Sequence, residues 1–221
     1  VAVNATPLSE IVIPPMVRVS TGMPAFDSVL GGGVVKGSVI LLGGDPGVGK
    51  TTLLFHAISG MANNHGVVMY ASAEESPEQL KMRADRLNLP LHNILILPDA
   101  PLDSILEYVS VLSPVALVVD SIQTVYTETI SSLPGSMNQL KACMLKIIQF
   151  AKSSGVPVFI ISQVIKNKSM AGPKALEHLV DTVIYLEGEE GKPHRLLKSR
   201  KNRFGSTLVC GTFAMTEKGI T

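Results

Sequence analysis

The stretch SVILLGGDPGVGKTTLLFHAISGMA, residues 38–62, decides the fold. It opens with a short apolar, β-branched run and closes with a segment of helical character. Between them Gly44-Asp45-Pro46-Gly47-Val48-Gly49-Lys50-Thr51 satisfies the pattern GxxxxGK(S/T). Such a motif carries weight when a strand precedes it and a helix follows, and both are present. Glycines let backbone N–H groups turn inward around phosphate oxygens, and the helix N-terminus adds its positive dipole end. Lys50 neutralises the β and γ phosphates, Thr51 ligates Mg²⁺, and Thr52 completes the phosphate-binding run.

Working outward, VVMYAS (67–72), VALVVD (115–120) and VPVFIIS (156–162) are further short apolar runs separated by helical stretches. Near-continuous apolarity marks strands covered on both faces, so the expected fold is α/β, a P-loop core with a mostly parallel sheet flanked by helices. Ser76 with Gln79, and Ser136 with Gln139, have capping-box spacing and mark two helix starts. From Thr182 the runs TVIYLEG, HRLLKSRK and STLVCGTFAM follow one another with only turn residues between, which predicts an antiparallel extension of the sheet. Residues 1–20, with Pro7, Pro14 and Pro15, read as an extended lead-in, and 21–221 as the ATPase domain.

Composition narrows the function. Apolar residues make up 46% of the 221, enough for a large core, yet runs such as VPVFII fall far short of the ~18 residues that span a bilayer. VAVNATPLSE has no basic region leading into an apolar run, so no secretory signal is expected there, and the chain reads as cytoplasmic. A formal charge of +1 excludes a polycation, so a nucleic-acid site must be local. Two cysteines, Cys143 and Cys210, exclude a cysteine-ligated structural zinc in this segment. Without Trp, and with four Tyr and six Phe, contacts to a single strand would fall on its backbone rather than on an aromatic platform.

Asp120 ends an apolar strand, where a carboxylate can hold Mg²⁺ through its water shell. Glu74 and Glu75 follow VVMYAS at the carboxyl edge of the sheet, where open α/β folds bind ligands. Consecutive residues of an extended chain point opposite ways, so one of the two, assigned as Glu74, polarises the attacking water. Gln163 ends VPVFIIS and can report the γ-phosphate to the segment that follows. That segment carries Lys166, Lys168 and Lys174, expected as DNA contacts. The densest charge cluster runs from Lys192 to Arg203, and its default reading is a hairpin solvated by its cations. At its end Lys201 and Arg203, two apart beside Gly205, can reach a phosphate on a neighbouring subunit.

On these residues the chain resembles the RadA/Sms family of bacterial DNA-repair ATPases, relatives of RecA and of the DnaB helicases. The resemblance is carried by STGMPAFDSVLGGGVVKG (20–37), GGDPGVGKTT (43–52), ASAEES (71–76), VVDSIQT (118–124), LPGSMNQL (133–140), AGPKALEHLVDTV (171–183) and, most specifically, KNRFGS (201–206). It implies a RecA-like fold, ATP or ADP with Mg²⁺ as ligands, and a hexameric motor that binds single-stranded DNA and branched recombination intermediates beside the recombinase RecA. It also implies Lys50 and Thr51 as Walker A, Asp120 as Walker B, Glu74 as the catalytic carboxylate, and Lys201 with Arg203 acting across the subunit interface. The family's four-cysteine zinc module and Lon-protease-like domain are not found in these residues. Gln163, Ile165, Lys168 and Lys141-Ala142 depart from the usual family pattern, clustering at the sensor and DNA loops. Two other readings share the motif: a KaiC-like nucleotide switch that does not act on DNA, which KNRFG and the basic segment disfavour, and a structural ring protein without turnover, which the intact Lys50, Thr51, Glu74 and Asp120 disfavour.

Overall fold

The structure, a computed structural model, describes residues 6–11, 16–98, 101–163, 174–188, 191–216 and 219–220. After a 3-10 turn at Leu8–Glu10, the elements in chain order begin with β1 (Arg18–Val19), α1 (Pro24–Val29), β2 (Val34–Val35), β3 (Val39–Gly43) and α2 (Lys50–His65). There follow β4 (Val68–Ser72), α3 (Pro77–Arg86), β5 (Ile94–Leu97), α4 (Leu102–Leu112), β6 (Ala116–Asp120) and α5 (Met137–Ser154). The chain continues through β7 (Val158–Ile161), α6 (Lys174–Glu177), β8 (Thr182–Gly188), β9 (His194–Asn202), β10 (Cys210–Thr216) and β11 (Gly219–Ile220).

One sheet of the described residues runs β11-β10-β9-β8-β3-β7-β6-β4-β5. From β8 to β5 every pairing is parallel, and from β8 outward to β11 every pairing is antiparallel. The predicted antiparallel extension therefore begins one strand later than its sequence suggests, because TVIYLEG pairs parallel to the P-loop strand while offering its other edge to β9. The lead-in also carries more structure than an extended tail, since Arg18 and Val19 pair with Val35 and Val34.

Both faces of the parallel sheet are covered. Ile40, Leu42, Tyr70, Val118 and Phe159 point toward α1, α2 and α3, whereas Val39, Leu41, Met69, Leu117 and Ile160 point toward α4 and α5. This is why the strands lack polar alternation: every residue of β3, β4, β6 and β7 is buried. Each large apolar side chain removed from water contributes roughly 1.5–3 kcal/mol, which makes this slab the rigid platform for the loops at its edge.

Helix ends follow local chemistry. Ser76 and Gln79 form the complete capping box, with Gln79 N–H to Ser76 Oγ at 3.3 Å and Ser76 N–H to Gln79 Oε1 at 2.9 Å. At α5 only half of the expected box forms. Ser136 accepts from Gln139 N–H at 3.4 Å, but the Gln139 side chain turns inward and bonds the backbone of Thr127 and Ser132. Burial of Gln139 explains the difference, since a buried amide must satisfy itself where the core offers partners.

Candidate nucleotide site

Parallel strands bring their carboxyl ends to one edge, and four of those ends carry the residues singled out above. Register sets Leu42 beside Ile161, Val119 beside Ile160, and Ser72 beside Asp120. The loop after β3, Glu74 after β4, Asp120 at the end of β6 and Gln163 after β7 thereby surround one cleft of about 370 Å³. Pro46, Gly47, Gly49, Lys50, Thr51 and Thr52 form its floor.

The loop geometry needs its glycines. Gly49 sits at φ 107° directly before α2, in the left-handed region that β-carbon sterics close to most residues. At Gly44, a β-carbon would lie 2.6 Å from the carbonyl oxygen of Leu186. Lys50 is buried and donates from Nζ to the carbonyls of Gly44 at 2.8 Å and Asp45 at 2.9 Å, so its ammonium lies over the loop where phosphate oxygens would replace those carbonyls. Burial lowers the Lys50 pKa from the usual lysine value, and the charges of Asp120, Asp45 and Glu74 oppose that shift.

Asp120 is 4% exposed, and burial pushes its carboxyl up to about 6, assisted by the negative charges of Glu74 and Glu75 and opposed by a hydrogen bond from Tyr70 Oη. Glu74 and Glu75 part as expected from strand geometry. Glu74 faces the cleft, accepting from Ser121 Oγ and from Gln163 Nε2 at 3.2 and 3.4 Å. Glu75 turns away and pairs with Arg83 of α3, whose Nε lies 3.2 Å from Oε2. Gln163 thus touches the very carboxylate assigned to activate water. Gln123 supports it from behind, donating to Ser162 Oγ at 3.3 Å and to the Gln163 carbonyl at 3.4 Å.

The oxygen donors suit Mg²⁺. Asp120 and Thr51 both line the cleft beside Lys50, and the Thr51 hydroxyl has no hydrogen bond among the described residues. Also among them, no group of three or more His, Cys, Asp or Glu could hold a metal alone. Mg²⁺, a small and strongly hydrated cation, is commonly bound by one or two protein oxygens together with the phosphates of a nucleotide.

Lys201 and Arg203 lie elsewhere. Asn202 pairs with Thr182, which stands beside Ile40, so the following Arg203 lies at the amino edge of the parallel strands, whereas Lys201 pairs with Val183, which stands beside Leu41 midway along β3. The P-loop leaves the opposite edge after Gly43, about 13 Å from the level of Val39 and about 7 Å from that of Leu41 at ~3.3 Å per residue. Lys201 Nζ donates to the carbonyls of Glu177 at 3.2 Å and His178 at 2.9 Å, and Arg203 Nη1 pairs with Asp181 Oδ1 at 2.9 Å. Burial, then the neighbouring Arg203, lowers the Lys201 pKa. Lys166 and Lys168 fall outside the described residues, as does the side chain of Lys174, which begins α6.

The basic cluster lies on the expected hairpin with its cations partly exposed, but several of them are also partnered. Lys198 and Arg200 both pair with Glu187 across the ladder, at 2.6 and 3.4 Å, and Arg200 also lies over the Tyr185 ring at 5.8 Å. Arg195, unremarked within that cluster, donates from Nε to the Val48 carbonyl of the P-loop at 2.9 Å. Met215 of β10 and Arg83 and Arg86 of α3 also line the cleft. No spacing in the sequence marks these residues, because strand order alone brings them to the P-loop.

Comparison with known proteins agrees with this geometry. The DNA repair protein RadA of Bacillus subtilis is 45% identical over 216 residues, covering 98% of this chain and 47% of that protein. RadA of Pseudomonas aeruginosa is 41% identical over 217 residues, 98% of this chain and 48% of that protein. The resemblance to RadA is borne out. The chain spans about half the length of the curated RadA proteins it matches. A family model described as "ATPase: KaiC" matches residues 19–95. The crystal structure of a KaiC-like protein from the archaeon Pyrococcus horikoshii superposes with a TM-score of 0.75, covering 94% of this chain and 99% of that one, at 23% identity. That structure supports the fold, and RadA similarity with the P-loop supports an ATPase core. Among the described residues no helix is long and apolar enough to cross a membrane.

Proposed function

We propose that this chain is the ATP-hydrolysing core of a DNA motor in recombination and repair. It binds single-stranded DNA and branched intermediates, and it works as a hexameric ring whose sites are completed across subunits. The observation that carries this reading is the division of the functional residues between opposite edges of one sheet. Lys50, Thr51, Glu74, Asp120 and Gln163 share the carboxyl edge, while Arg203 lies toward the amino edge on Asp181 and Lys201 turns its ammonium to the carbonyls of Glu177 and His178, away from their own P-loop.

In this reading the P-loop and Lys50 hold the β and γ phosphates, and Thr51 with Asp120 would hold Mg²⁺, which supplies charge neutralisation at the bridging oxygens. Glu74 accepts a hydrogen bond from the attacking water and takes its proton, with Ser121 and Gln163 fixing the carboxylate's orientation. Arg203 of the next subunit meets the charge that develops on the transferred phosphoryl group. Gln163 lies three residues before Lys166 in the chain, and through its contact with Glu74 DNA and nucleotide state sense each other in this reading. The matched KaiC family model favours a second reading, a nucleotide switch with the same core and no DNA track.

The ATPase rate with and without single-stranded DNA separates the two. A motor accelerates on DNA and its DNA affinity falls steeply with salt, whereas a switch ignores DNA. Replacing Lys166 and Lys168 together should flatten the log–log salt slope by roughly 1 to 2, at ~0.7 per phosphate contact on a single strand. An unchanged slope would place the DNA path elsewhere.

A further inference from the structure

Tyr70 lies beneath the cleft, on the core side of β4, and is wholly buried. Its ring stacks on Phe55 of α2, with centroids 5.0 Å apart and planes 20° from parallel. Its hydroxyl donates to Asp120 Oδ2 and is the one side-chain hydrogen-bond donor to that carboxylate among the described residues.

A carboxylate on a strand end turns broadly about its terminal torsion unless something holds it. Here one oxygen is held back toward the core by a group that cannot move, since Tyr70 is clamped between Phe55 and the sheet. The other oxygen is left for the cleft that Asp120 lines. We propose that Tyr70 is a positioning residue for Asp120, presenting a single oriented oxygen to the Mg²⁺ site and thereby setting that site's affinity for the ion. The same contact joins the metal-side carboxylate to the P-loop helix through Phe55, so the two halves of the site keep a fixed separation. This rests on the reading of Asp120 as the Mg²⁺ carboxylate.

Tyr70→Phe removes one oxygen and keeps the ring stack. Binding of a fluorescent ATP analogue is measured across free Mg²⁺ concentrations, alongside Mn²⁺ binding by EPR in the presence of ADP. The half-saturating Mg²⁺ concentration should rise roughly tenfold, the usual scale for losing a partner that orients a metal ligand, while nucleotide affinity in EDTA stays as in the parent. A lower Tm with an unchanged Mg²⁺ half-saturation means that the hydroxyl serves stability alone and overturns the proposal. Asp120→Asn is run beside it. If that variant also keeps its Mg²⁺ dependence, the assignment of Asp120 is at fault. If it loses the dependence and Tyr70→Phe does not, only the role of Tyr70 fails. Should Tyr70→Phe not fold, Phe55→Leu loosens the clamp while keeping the phenol, and it should move the half-saturation in the same direction; no movement there overturns the proposal equally.

Discussion

Arg203→Ala tests the division of the site between subunits, because two magnitudes read from the structure lie far apart. Within its own chain Arg203 contributes one ion pair, to Asp181 at 2.9 Å, with the arginine side chain 46% exposed. Solvent screens the arginine but not Asp181, which is buried, so the loss leaves one carboxylate oxygen without its partner and costs on the order of 1–3 kcal/mol. Asp181 keeps the Val39 N–H at 3.0 Å, and the Arg203 backbone bond to the Asp181 carbonyl is untouched. Against a domain stability of ~5–15 kcal/mol, nearly every molecule stays folded. A trans-acting arginine, by contrast, is worth roughly 10³ to 10⁵ in turnover, or about 4–7 kcal/mol of barrier. The variant should therefore melt within about 10 °C of the parent, bind ATP, and lose hydrolysis by at least ~10³. Loss alone does not establish action in trans. The assay mixes Arg203→Ala subunits, which keep an intact P-loop and Glu74, with Glu74→Gln subunits, which keep Arg203. Some interfaces of a mixed ring then pair a working P-loop with a working arginine, and activity should exceed the sum of the separate variants. No gain in rings shown to be mixed refutes the reasoning and returns Arg203 to its own subunit, where Asp181 already holds it.

The acidic pair and the buried aspartate give two further tests. Glu74→Gln keeps the contacts to Ser121 and Gln163 but loses the charge, so ATP binding should persist while hydrolysis falls at least ~100-fold; Glu75→Gln, which only frees Arg83, should leave turnover within a fewfold, and single-turnover kinetics showing the reverse would exchange the two assignments. Asp120 titrates at about 6 when folded and near 3.9 when unfolded, so between those values the native state holds a proton the unfolded chain has released, and this residue's share of stability falls as pH rises from about 4 to 6. Asp120→Asn lacks that loss and in EDTA should gain on the order of 2–3 kcal/mol over the parent between pH 4 and pH 7, read from denaturant melts at the two values; a gain that does not grow with pH would mean the carboxylate is not paying for its burial.

Legibility in the sequence followed the range of the interaction. The P-loop could be read directly because its demands are local: glycines at Gly44 and Gly49, a lysine opening a helix, and a strand just before. Glu74 and Asp120 could be assigned because carboxyl ends of parallel strands share an edge whatever their order, so a carboxylate after such a run needs no register to be placed. Strand order was the hidden variable for everything else. TVIYLEG looked like part of a meander since no clear helical stretch separates it from HRLLKSRK, yet its parallel pairing with β3 depends on the path of the chain before it. ILIL at 94–97 was missed as an edge strand, being four residues without a strong flank. The Tyr70 contact to Asp120 spans 50 positions, and the Arg195 contact to Val48 spans 147.

The basic run from Lys192 to Arg203 shows most plainly what register adds. In sequence it is one cluster with one explanation. In the fold it lies along β9, a nine-residue strand about 26 Å from end to end at ~3.3 Å per step, running antiparallel to β8. Arg195 therefore reaches the P-loop edge and props Val48, Lys198 and Arg200 share Glu187 midway, Lys201 turns to the carbonyls of Glu177 and His178, and Arg203 emerges at the far edge on Asp181. The donors of Lys201 and Arg203 are turned to the Glu177 and His178 carbonyls and to Asp181, away from that same loop. In the proposed ring these two cations act on the nucleotide of another copy. The geometry of a single chain thus divides the cluster into a part that touches its own P-loop and a part directed elsewhere, and the mixed-subunit assay asks what that second part serves.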